Sequence, residues 1–374
     1  TGEAGGADTG EAGGADTGEA GGAAPGEAGA DCGADLLAML VDPSWVYRQY
    51  DHQLFLNTVV GPGGDAALLR LAAPGVRPGP GAAAAMALST DGNHRWCAVD
   101  PRAGTALVVA ESALNVACVG ARPVALVNCL NLGNPEHPEV MWQLSEAVDG
   151  MAEACRALSI PVVGGNVSLY NESRGTDIDP TPVVGTLGLV DRLERPPPGI
   201  ALAPGGRILL LGGGGVPALG GSLWAATRGG GEGGPLAPLD LAMHARLLGL
   251  VAGLVNGELA AGGLVGGVHD VADGGLGVAL AEMAVQSGVG FRVAGVAGPL
   301  GLFGEAPSRV VACVAPEAVA VVGRLAEAAG VGWAEIGDAG GDRMVVEGLV
   351  DVGLAEATER WREALPATVG GRAR

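Results

Sequence analysis

A long amphipathic helix followed at once by a short β-branched strand is the feature that most limits the fold of this chain. Apolar residues recur at i, i+3 and i+4 spacing over residues 138–158, which is typical of a helix with one buried face. Residues 161–163, Pro-Val-Val, then lead into Gly164 and Gly165, where we expect the strand to end with backbone N–H groups open to an anion. Strand patterns, among them 181–190, 309–314 and 344–349, go on alternating with helix patterns to residue 365, which predicts an α/β fold.

The composition limits how such a fold is built and which ligands it can hold. The chain has 374 residues, enough for two domains of ordinary size, and 48% of them are hydrophobic. Aromatic residues make up only 3%, so the core must consist of Ala, Val and Leu. All 21 basic residues are arginine, whereas a Walker-type phosphate loop needs lysine. A bound phosphate would therefore be held by amides, arginine or a metal.

Charge and cysteine usage exclude other classes of protein. A formal net charge of −20 excludes nucleic-acid binding through a basic surface, although an acidic protein can bind nucleotides when magnesium screens the charge. The six cysteines form no C-x-x-C pair, which is typical of buried residues in a reducing compartment. Since neither a membrane-spanning run nor a signal peptide is found, the sequence predicts a cytoplasmic protein that binds no membrane.

Repeats and proline-rich stretches predict the domain boundaries. Residues 1–40 begin with an octad, Thr-Gly-Glu-Ala-Gly-Gly-Ala-Asp, that recurs almost three times, so we expect this segment to be disordered. Residues 41–194 are expected to form a first α/β domain and residues 205–370 a second one. The stiff segment 195–204 is the expected linker. Because the chain begins with Thr, we also expect an N-terminal part to be missing.

Two polar segments follow apolar strand patterns in the first domain. The segment 164–168 offers the amide of Asn166 and the hydroxyl of Ser168, which are short uncharged ligands suited to a metal-bound phosphate. Asn128 opens a second segment that runs to Pro135, and strand ends are where α/β proteins bind ligands. For both segments the alternative is a turn stabilised by its own side chains, and the residues alone favour neither interpretation.

Acidic residues form two further candidate groups. Asp65 and Asp91 lie beside glycines and could hold magnesium, although a surface turn explains each of them more simply. His269 and Asp270 could form an acid/base pair, whereas Asp273 is better explained as a helix N-cap.

Eight strings spread over about residues 40 to 370 carry a family resemblance. They are Tyr50-Asp51-His52-Gln53 and the residues 61–67, 115–118, 128–131, 133–136, 165–172, 269–276 and 302–309. Together they resemble phosphoribosylformylglycinamidine synthase, and specifically the C-terminal half of the synthetase subunit of its multi-subunit bacterial form. The string 165–172, Gly-Asn-Val-Ser-Leu-Tyr-Asn-Glu, is the most specific of them.

The resemblance implies a fold, a reaction and partners. The implied fold is one half of a duplicated relative of aminoimidazole ribonucleotide synthetase, with an N-terminal α/β domain that pairs into a shared central barrel and a C-terminal α/β domain. The implied reaction uses ATP and Mg²⁺ to convert formylglycinamide ribonucleotide and glutamine-derived ammonia into formylglycinamidine ribonucleotide through an iminophosphate, in purine synthesis. The implied partners are a glutaminase subunit, a small bridging subunit and the N-terminal half of the synthetase.

The resemblance also implies roles for single residues. Gly165 matches an ATP contact, Asn166 a magnesium ligand and Ser168 a substrate contact. Asn128 lies where many relatives have an ATP-contacting aspartate, so its amide keeps the hydrogen bonds but loses the charge. No catalytic residue is assigned, because the family's His-Asn-His-Pro motif belongs to the other half and is absent here.

The residues leave several alternatives open. The chain could be a non-catalytic half that binds a structural nucleotide, or another enzyme of the superfamily, such as aminoimidazole ribonucleotide or selenophosphate synthetase. The superfamily's metal-binding Asn-Asp pair is altered here to Asn115-Val116. It therefore stays open whether a second or degenerate nucleotide site is formed by Asp65, Asp91, His269, Asp270 and Asp273.

Overall fold

Two β-sheets, each built from one half of the chain, organise the fold. The computed structural model describes residues 31–53, 56–71, 84–213, 215–229 and 234–369. None of the helices within these ranges combines the length and apolar character needed to cross a membrane.

The first half of the chain forms a six-stranded sheet with the strand order β1-β2-β3-β8-β4-β5. Its elements are α1 (Cys32–Met39), α2 (Ser44–Tyr47), β1 (Thr58–Val60), β2 (Ala67–Arg70), β3 (Ala85–Gly92), α3 (His94–Val99), α4 (Pro101–Cys118), β4 (Arg122–Asn131), α5 (Pro138–Leu158), β5 (Val162–Ser168), the hairpin strands β6 (Glu172–Ser173) and β7 (Thr176–Asp177), and β8 (Thr181–Val190).

The second half forms a seven-stranded sheet with the order β10-β12-β9-β13-β11-β14-β15. Its elements are β9 (Arg207–Gly212), α6 (Leu223–Thr227), α7 (Leu241–Asn256), α8 (Glu258–Ala261), β10 (Val265–Asp270), α9 (Gly275–Ser287), β11 (Phe291–Val293), α10 (Gly298–Phe303), β12 (Arg309–Val314), a 3₁₀ turn (Pro316–Ala318), α11 (Val319–Ala329), β13 (Trp333–Ala339), β14 (Arg343–Val346), β15 (Val350–Gly353) and α12 (Leu354–Val369).

Helix α4 lies between the two halves. Asp100 caps it by accepting two backbone N–H bonds, and Pro101 occupies the first turn. Only Arg102 and Glu111 are charged among its 18 residues, so almost every face of the helix is apolar. It packs against β3 and β8, and also against α5 and α7. Gly150 of α5 allows the close approach, because a Cβ there would collide with the carbonyl of Arg102.

The hydrophobic core around α4 is continuous across both halves. Leu107 of α4 belongs to the same buried cluster as Leu209 of β9 and Leu247 of α7. A separate cluster lies beneath α9 and α12 in the second half. The two sheets are therefore joined by packed apolar side chains as well as by the chain itself.

The first sheet has one covered and one open face. Along β8 the side chains alternate between buried and half-buried, because successive residues point to opposite faces. The covered face packs on α4. On the opposite face, Leu88 of β3 and Val127 of β4 are 43% and 44% exposed. The open face thus presents large apolar side chains to solvent.

Most of the predicted elements are confirmed. The strands expected at 181–190 and 309–314 have those bounds, and α5 coincides with the helix expected at 138–158. Val148 was assigned to its apolar face but is exposed. The strand expected at 344–349 is wrong in part, since Glu347–Leu349 form the turn of the β14–β15 hairpin.

The expectation of disorder across residues 1–40 is wrong for its last part. Residues 1–30 lie outside the described ranges, but Cys32–Met39 form α1. Asp31 caps this helix, and Leu36 and Leu40 are fully buried in the cluster beneath α9 and α12. Burial against the second half, which the local composition does not reveal, orders the segment.

His244 ties the two halves together without carrying charge. Its Nε2–H donates to the carbonyl of Ala110 in α4 at 3.0 Å, and its Nδ1 accepts from the hydroxyl of Ser308 at 2.7 Å. Burial lowers the pKa of His244 to about 4, because an imidazolium would lose its hydration there.

We expect His244→Gln to make folding stability less sensitive to acid. Below pH 6.5 the unfolded chain binds a proton at His244 that the folded chain does not bind, so stability falls as the pH falls towards about 4. Between pH 7.5 and pH 5 this loss is about 2 kcal/mol, and the glutamine variant should lack it. Urea unfolding at both pH values measures the difference, with exposed His94→Gln as the matched control. An unchanged pH dependence in His244→Gln would contradict the assignment.

Candidate functional site

The residues implied for ligand binding lie on two neighbouring strands. Strands β4 and β5 pair in parallel, with Asn128 beside Gly165 and Asn131 beside Ser168. Strand β5 is the edge of the sheet, and residues 162–167 are exposed. The strand continues through both glycines to Ser168, so the expected strand end and the turn interpretation of this segment are wrong. Its polar residues are part of an open sheet edge.

The four implied residues are divided between the two faces of this edge. On the covered face, Asn128 Nδ2 lies 3.4 Å from Met151 Sδ, and a Cβ at Gly165 would collide with Asn128 Oδ1. Asn166 and Ser168 point to the opposite, open face, because alternate residues of a strand do so. The implied ATP contacts, Asn128 and Gly165, therefore lie on one face of the sheet edge. The implied magnesium and substrate contacts, Asn166 and Ser168, lie on the other face, only one to three residues further along β5 than Gly165.

Ser168 is held in place by the loop that follows it. Its hydroxyl donates to Asn171 Oδ1 at 3.2 Å, and Asn171 Nδ2 lies 2.9 Å from the carbonyl of Ser168. Asn171 Nδ2 also donates to the carbonyl of Leu132, at the end of β4. These bonds fix the hydroxyl beside the open edge.

A second group of polar residues lies between the two halves of the chain. His269 Nδ1 is 2.6 Å from Asp65 Oδ1, and its Nε2 is 3.0 Å from Glu282 Oε2. Burial lowers the pKa of His269, but the carboxylates of Asp65, Glu282 and Asp270 outweigh burial and raise it well above its ordinary value. The raised pKa favours the imidazolium form of His269, in which both ring nitrogens donate to the carboxylates. The surface-turn interpretation of Asp65 is wrong, because its side chain is 3% exposed.

Further carboxylates lie beside this histidine. Burial raises the pKa values of Asp91 and Glu111, and it raises that of Asp270 to about 8; repulsion among the carboxylates adds to each shift. Asn115 Nδ2 donates to Asp91 Oδ1 at 2.9 Å. Carboxylate and amide oxygens form the donor set that Mg²⁺ prefers, and a cation would offset the repulsion. Among the residues that the structure describes, the ligand atoms of Asp65, His269 and Asp270 lie within 4.8 Å of one another, so these three could hold a metal ion once His269 has lost its proton.

Glu111 and Glu282 are members of this group that the sequence did not reveal. Glu111 lies one helical turn before Asn115 in α4, on the same face. A lone carboxylate inside an apolar helix is the signal that could have identified it, because such a group is rarely buried without a partner.

Asp273 links the halves and does not cap a helix. Helix α9 begins at Gly275 with Gly274 as its N-cap, so the N-cap interpretation of Asp273 is wrong. Its Oδ1 accepts from Asn93 Nδ2 at 3.0 Å and from Arg95 Nη2 at 2.8 Å, both in the first half.

We call the charged residues around His269, namely Asp65, Asp91, Glu111, Asp270 and Glu282, the inner group. A cavity of about 620 Å³ opens beside it. The cavity is lined by the glycine turn 61–64, by Asn115, by His269 and Asp270, and by Gly199 in the segment that connects β8 with β9. The glycines leave this part of the cavity wall without side chains, so a ligand could approach the backbone closely. The inner group therefore has room for a small anionic ligand next to a cation.

The fold defines a two-domain α/β protein whose candidate ligand-binding residues lie at a sheet edge and at the seam between the domains. The family model for the AIR synthase related protein N-terminal domain matches residues 63–190, and the model for the C-terminal domain matches residues 203–348. The chain belongs to the family of AIR synthase related proteins.

Relatives within this family confirm the resemblance drawn from the sequence. The chain is 45% identical over 349 residues to phosphoribosylformylglycinamidine synthase subunit PurL of Moorella thermoacetica, which covers 90% of this chain and 46% of that protein. It is 46% identical over 328 residues to subunit PurL of Thermomicrobium roseum, with 86% and 43% covered. The chain thus spans about half the length of the curated relatives that it matches.

Solved structures show the same fold. T. maritima PurL complexed with FGAR matches with a TM-score of 0.61 at 20% identity, over 74% of this chain and 46% of that one. T. maritima PurL complexed with ATP matches with a TM-score of 0.57 at 20% identity, over 75% and 45%. The AIR synthase-like fold expected from the sequence is confirmed.

We expect Gly165→Ala to destabilise the chain by about 1–3 kcal/mol, because the new methyl would displace the side chain of Asn128. Gly164→Ala is the matched control, since its methyl would only touch Val127 at 3.8 Å and should change stability by less than about 0.5 kcal/mol. Urea unfolding of both variants measures the difference. Equal stabilities would show that Asn128 does not pack on the backbone of Gly165.

Proposed function

We propose that this chain is the C-terminal half of a phosphoribosylformylglycinamidine synthase synthetase. In this proposal the assembly uses ATP to convert formylglycinamide ribonucleotide and glutamine-derived ammonia into formylglycinamidine ribonucleotide. The identity to the PurL relatives along 90% of the chain supports it, as do the four site residues at one sheet edge. The proposal includes a cytoplasmic location, a glutaminase subunit and a small bridging subunit as partners.

The open edge strand is the observation that carries this proposal. Gly165 and Asn128 would contact ATP, and Ser168 would contact the ribonucleotide. Asn166 would ligate Mg²⁺, which when bound neutralises charge on the phosphates. Asn166 and Ser168 lie on the open face of the exposed strand and would form one wall of a site, while Gly165 and Asn128 lie on the covered face at the same edge. The opposite wall, including the catalytic histidine, would belong to the N-terminal half.

The open face of the first sheet supports such a partner. Leu88 and Val127 are exposed there, and a second sheet packed on this face would bury them. The same contact would close the side on which Asn166 and Ser168 lie. We therefore propose that assembly with the N-terminal half completes both the hydrophobic core and the site.

We expect the isolated chain to form no product, and a reconstituted assembly with the N-terminal half and the glutaminase to form it. In that assembly Asn166→Ala should lower kcat/KM at least roughly tenfold, or about 1.4 kcal/mol of transition-state stabilisation. Val167→Ala, at the exposed neighbouring position, is the control and should retain activity. ATP- and ammonia-dependent product formation by the chain alone would contradict the half-site, and full activity of Asn166→Ala would contradict the metal ligand.

The inner group favours a second candidate function, the binding of a structural nucleotide with magnesium. Asp91, Glu111 and Asp270 repel one another electrostatically, and the pKa of each is raised. Asp270 also lines a cavity that is bordered by a glycine turn. A magnesium nucleotide held there would stabilise the seam between the domains. This function needs no second half, and it is compatible with the first proposal.

We expect Mg·ADP to stabilise the isolated chain against thermal unfolding, by about 2.7 kcal/mol at a free concentration of one hundred times Kd. Glu111→Gln should lose most of this stabilisation because a cation ligand is weakened, whereas Glu153→Gln, on the exposed face of α5, should keep it. Differential scanning calorimetry with ADP alone and with Mg²⁺ alone separates the contributions. The same Mg·ADP shift in both variants would place the nucleotide elsewhere.

A further inference from the structure

The loop between β4 and α5 is fastened by one carboxylate. Asp177 Oδ1 accepts the backbone N–H of Asn134 at 2.7 Å, and Asp177 Oδ2 accepts from His137 Nδ1 at 2.6 Å. Asn134 Oδ1 in turn accepts the backbone N–H of Glu136 at 2.9 Å. One side chain thus holds both ends of the segment 134–137, and we call the pair of Asp177 and His137 the clamp.

The hairpin β6–β7 presents Asp177 to this loop. Its two central residues, Arg174 and Gly175, have φ values of 55° and 79°, which is the conformation of a tight type I′ turn. Gly133 allows the approach, because a Cβ at that position would lie 2.5 Å from the side chain of Asp177. The hairpin and the loop are therefore in direct contact.

The loop held by the clamp is hydrogen-bonded to Tyr170 and Asn171, which follow Ser168 in the chain. The backbone N–H of Tyr170 donates to the carbonyl of Gly133 at 2.8 Å. The backbone and side-chain N–H groups of Asn171 donate to the carbonyl of Leu132 at 3.2 Å and 2.9 Å. Loosening residues 132–134 would therefore release Asn171, which positions the hydroxyl of Ser168.

The charges around the clamp favour its paired state near neutral pH. The hydrogen bond to Asp177 and its negative charge raise the pKa of His137, with smaller contributions from Glu139 and Glu136. The bonds from Asn134 and His137 lower the pKa of Asp177. The stabilisation from His137 is present below its unfolded pKa and is lost as the pH rises through the raised folded value. That from Asp177 is lost as the pH falls through its lowered folded value.

We propose that Asp177 is a positioning residue for substrate binding, which acts through residues 132–134 and Asn171 on Ser168, and that His137 makes this positioning dependent on pH. The inference rests on the proposed function, in which Ser168 contacts the ribonucleotide. The carboxylate of Asp177 accepts hydrogen bonds from Asn134 and His137, so it would act on Ser168 through other residues.

The first test needs no activity. Amide hydrogen exchange of the isolated chain is compared between the parent, Asp177→Ala and Asp179→Asn, the last being an exposed carboxylate two residues away. Asp177→Ala should speed exchange at Asn134, Tyr170 and Asn171, whereas Asp179→Asn should not. Faster exchange confined to the hairpin 172–177 would overturn the coupling to Ser168.

The second test uses the reconstituted synthase over a range of pH. Asp177→Asn keeps an acceptor for the Asn134 N–H but loses the charge that pairs with His137. It should raise the KM for the ribonucleotide severalfold, leave the KM for ATP and kcat within twofold, and remove the rise of ribonucleotide KM at alkaline pH. His137→Gln should remove the same pH dependence. Unchanged ribonucleotide KM and pH profile in both variants would overturn the proposal. If the parent assembly forms no product, the proposed function fails, while hydrogen exchange still decides whether the clamp positions Ser168.

Discussion

The packing of helix α4 between the two sheets is the constraint on which the other features depend. Its apolar surface joins one core across both halves, and it covers the face of the first sheet that holds Asn128. The same helix brings Glu111 and Asn115 to the domain seam and offers the Ala110 carbonyl to His244. A carboxylate inside this helix is costly to bury, so the neighbouring charges must be arranged to offset it.

Charge compensation at the seam explains why the two halves hold one relative position. The imidazolium of His269 lies between Asp65 of the first half and Glu282 of the second. Arg95 and Asn93 of the first half bind Asp273 of the second. Separating the halves would leave the buried side chains of His269 and Asp65 without each other, which costs more than the loss of the exposed pair of Arg95 and Asp273. The packing of α4 therefore holds the two halves together, and the polar contacts fix their relative orientation.

The sequence predicted what local periodicity encodes and missed what only tertiary contacts determine. The helix at 138–158 and the strands at 181–190 and 309–314 were predictable because their patterns are long and regular. Helix α1 was missed because burial against the second half, not composition, orders it. Gly165, Asn166 and Ser168 were proposed from one string and Asn128 from another, but neither string could show that β5 runs straight through Gly165. Glu111 was missed because its partners are distant in the chain.

The two candidate sites differ in whether a second polypeptide is needed to enclose a ligand. The difference follows from the position of β5 at the edge of the first sheet. The inner group has walls from both domains of this chain, so a nucleotide proposed there would find all its contacts on one polypeptide. The edge strand β5 has nothing beyond it in the sheet, and its open face carries Asn166 and Ser168 next to exposed apolar side chains. A ligand bound on that face would remain in contact with water unless a second sheet covered it, and water weakens the electrostatic contacts that phosphate chemistry needs. Nucleotide binding at the seam would therefore need this chain alone, whereas chemistry at the edge would need a partner that covers the open face.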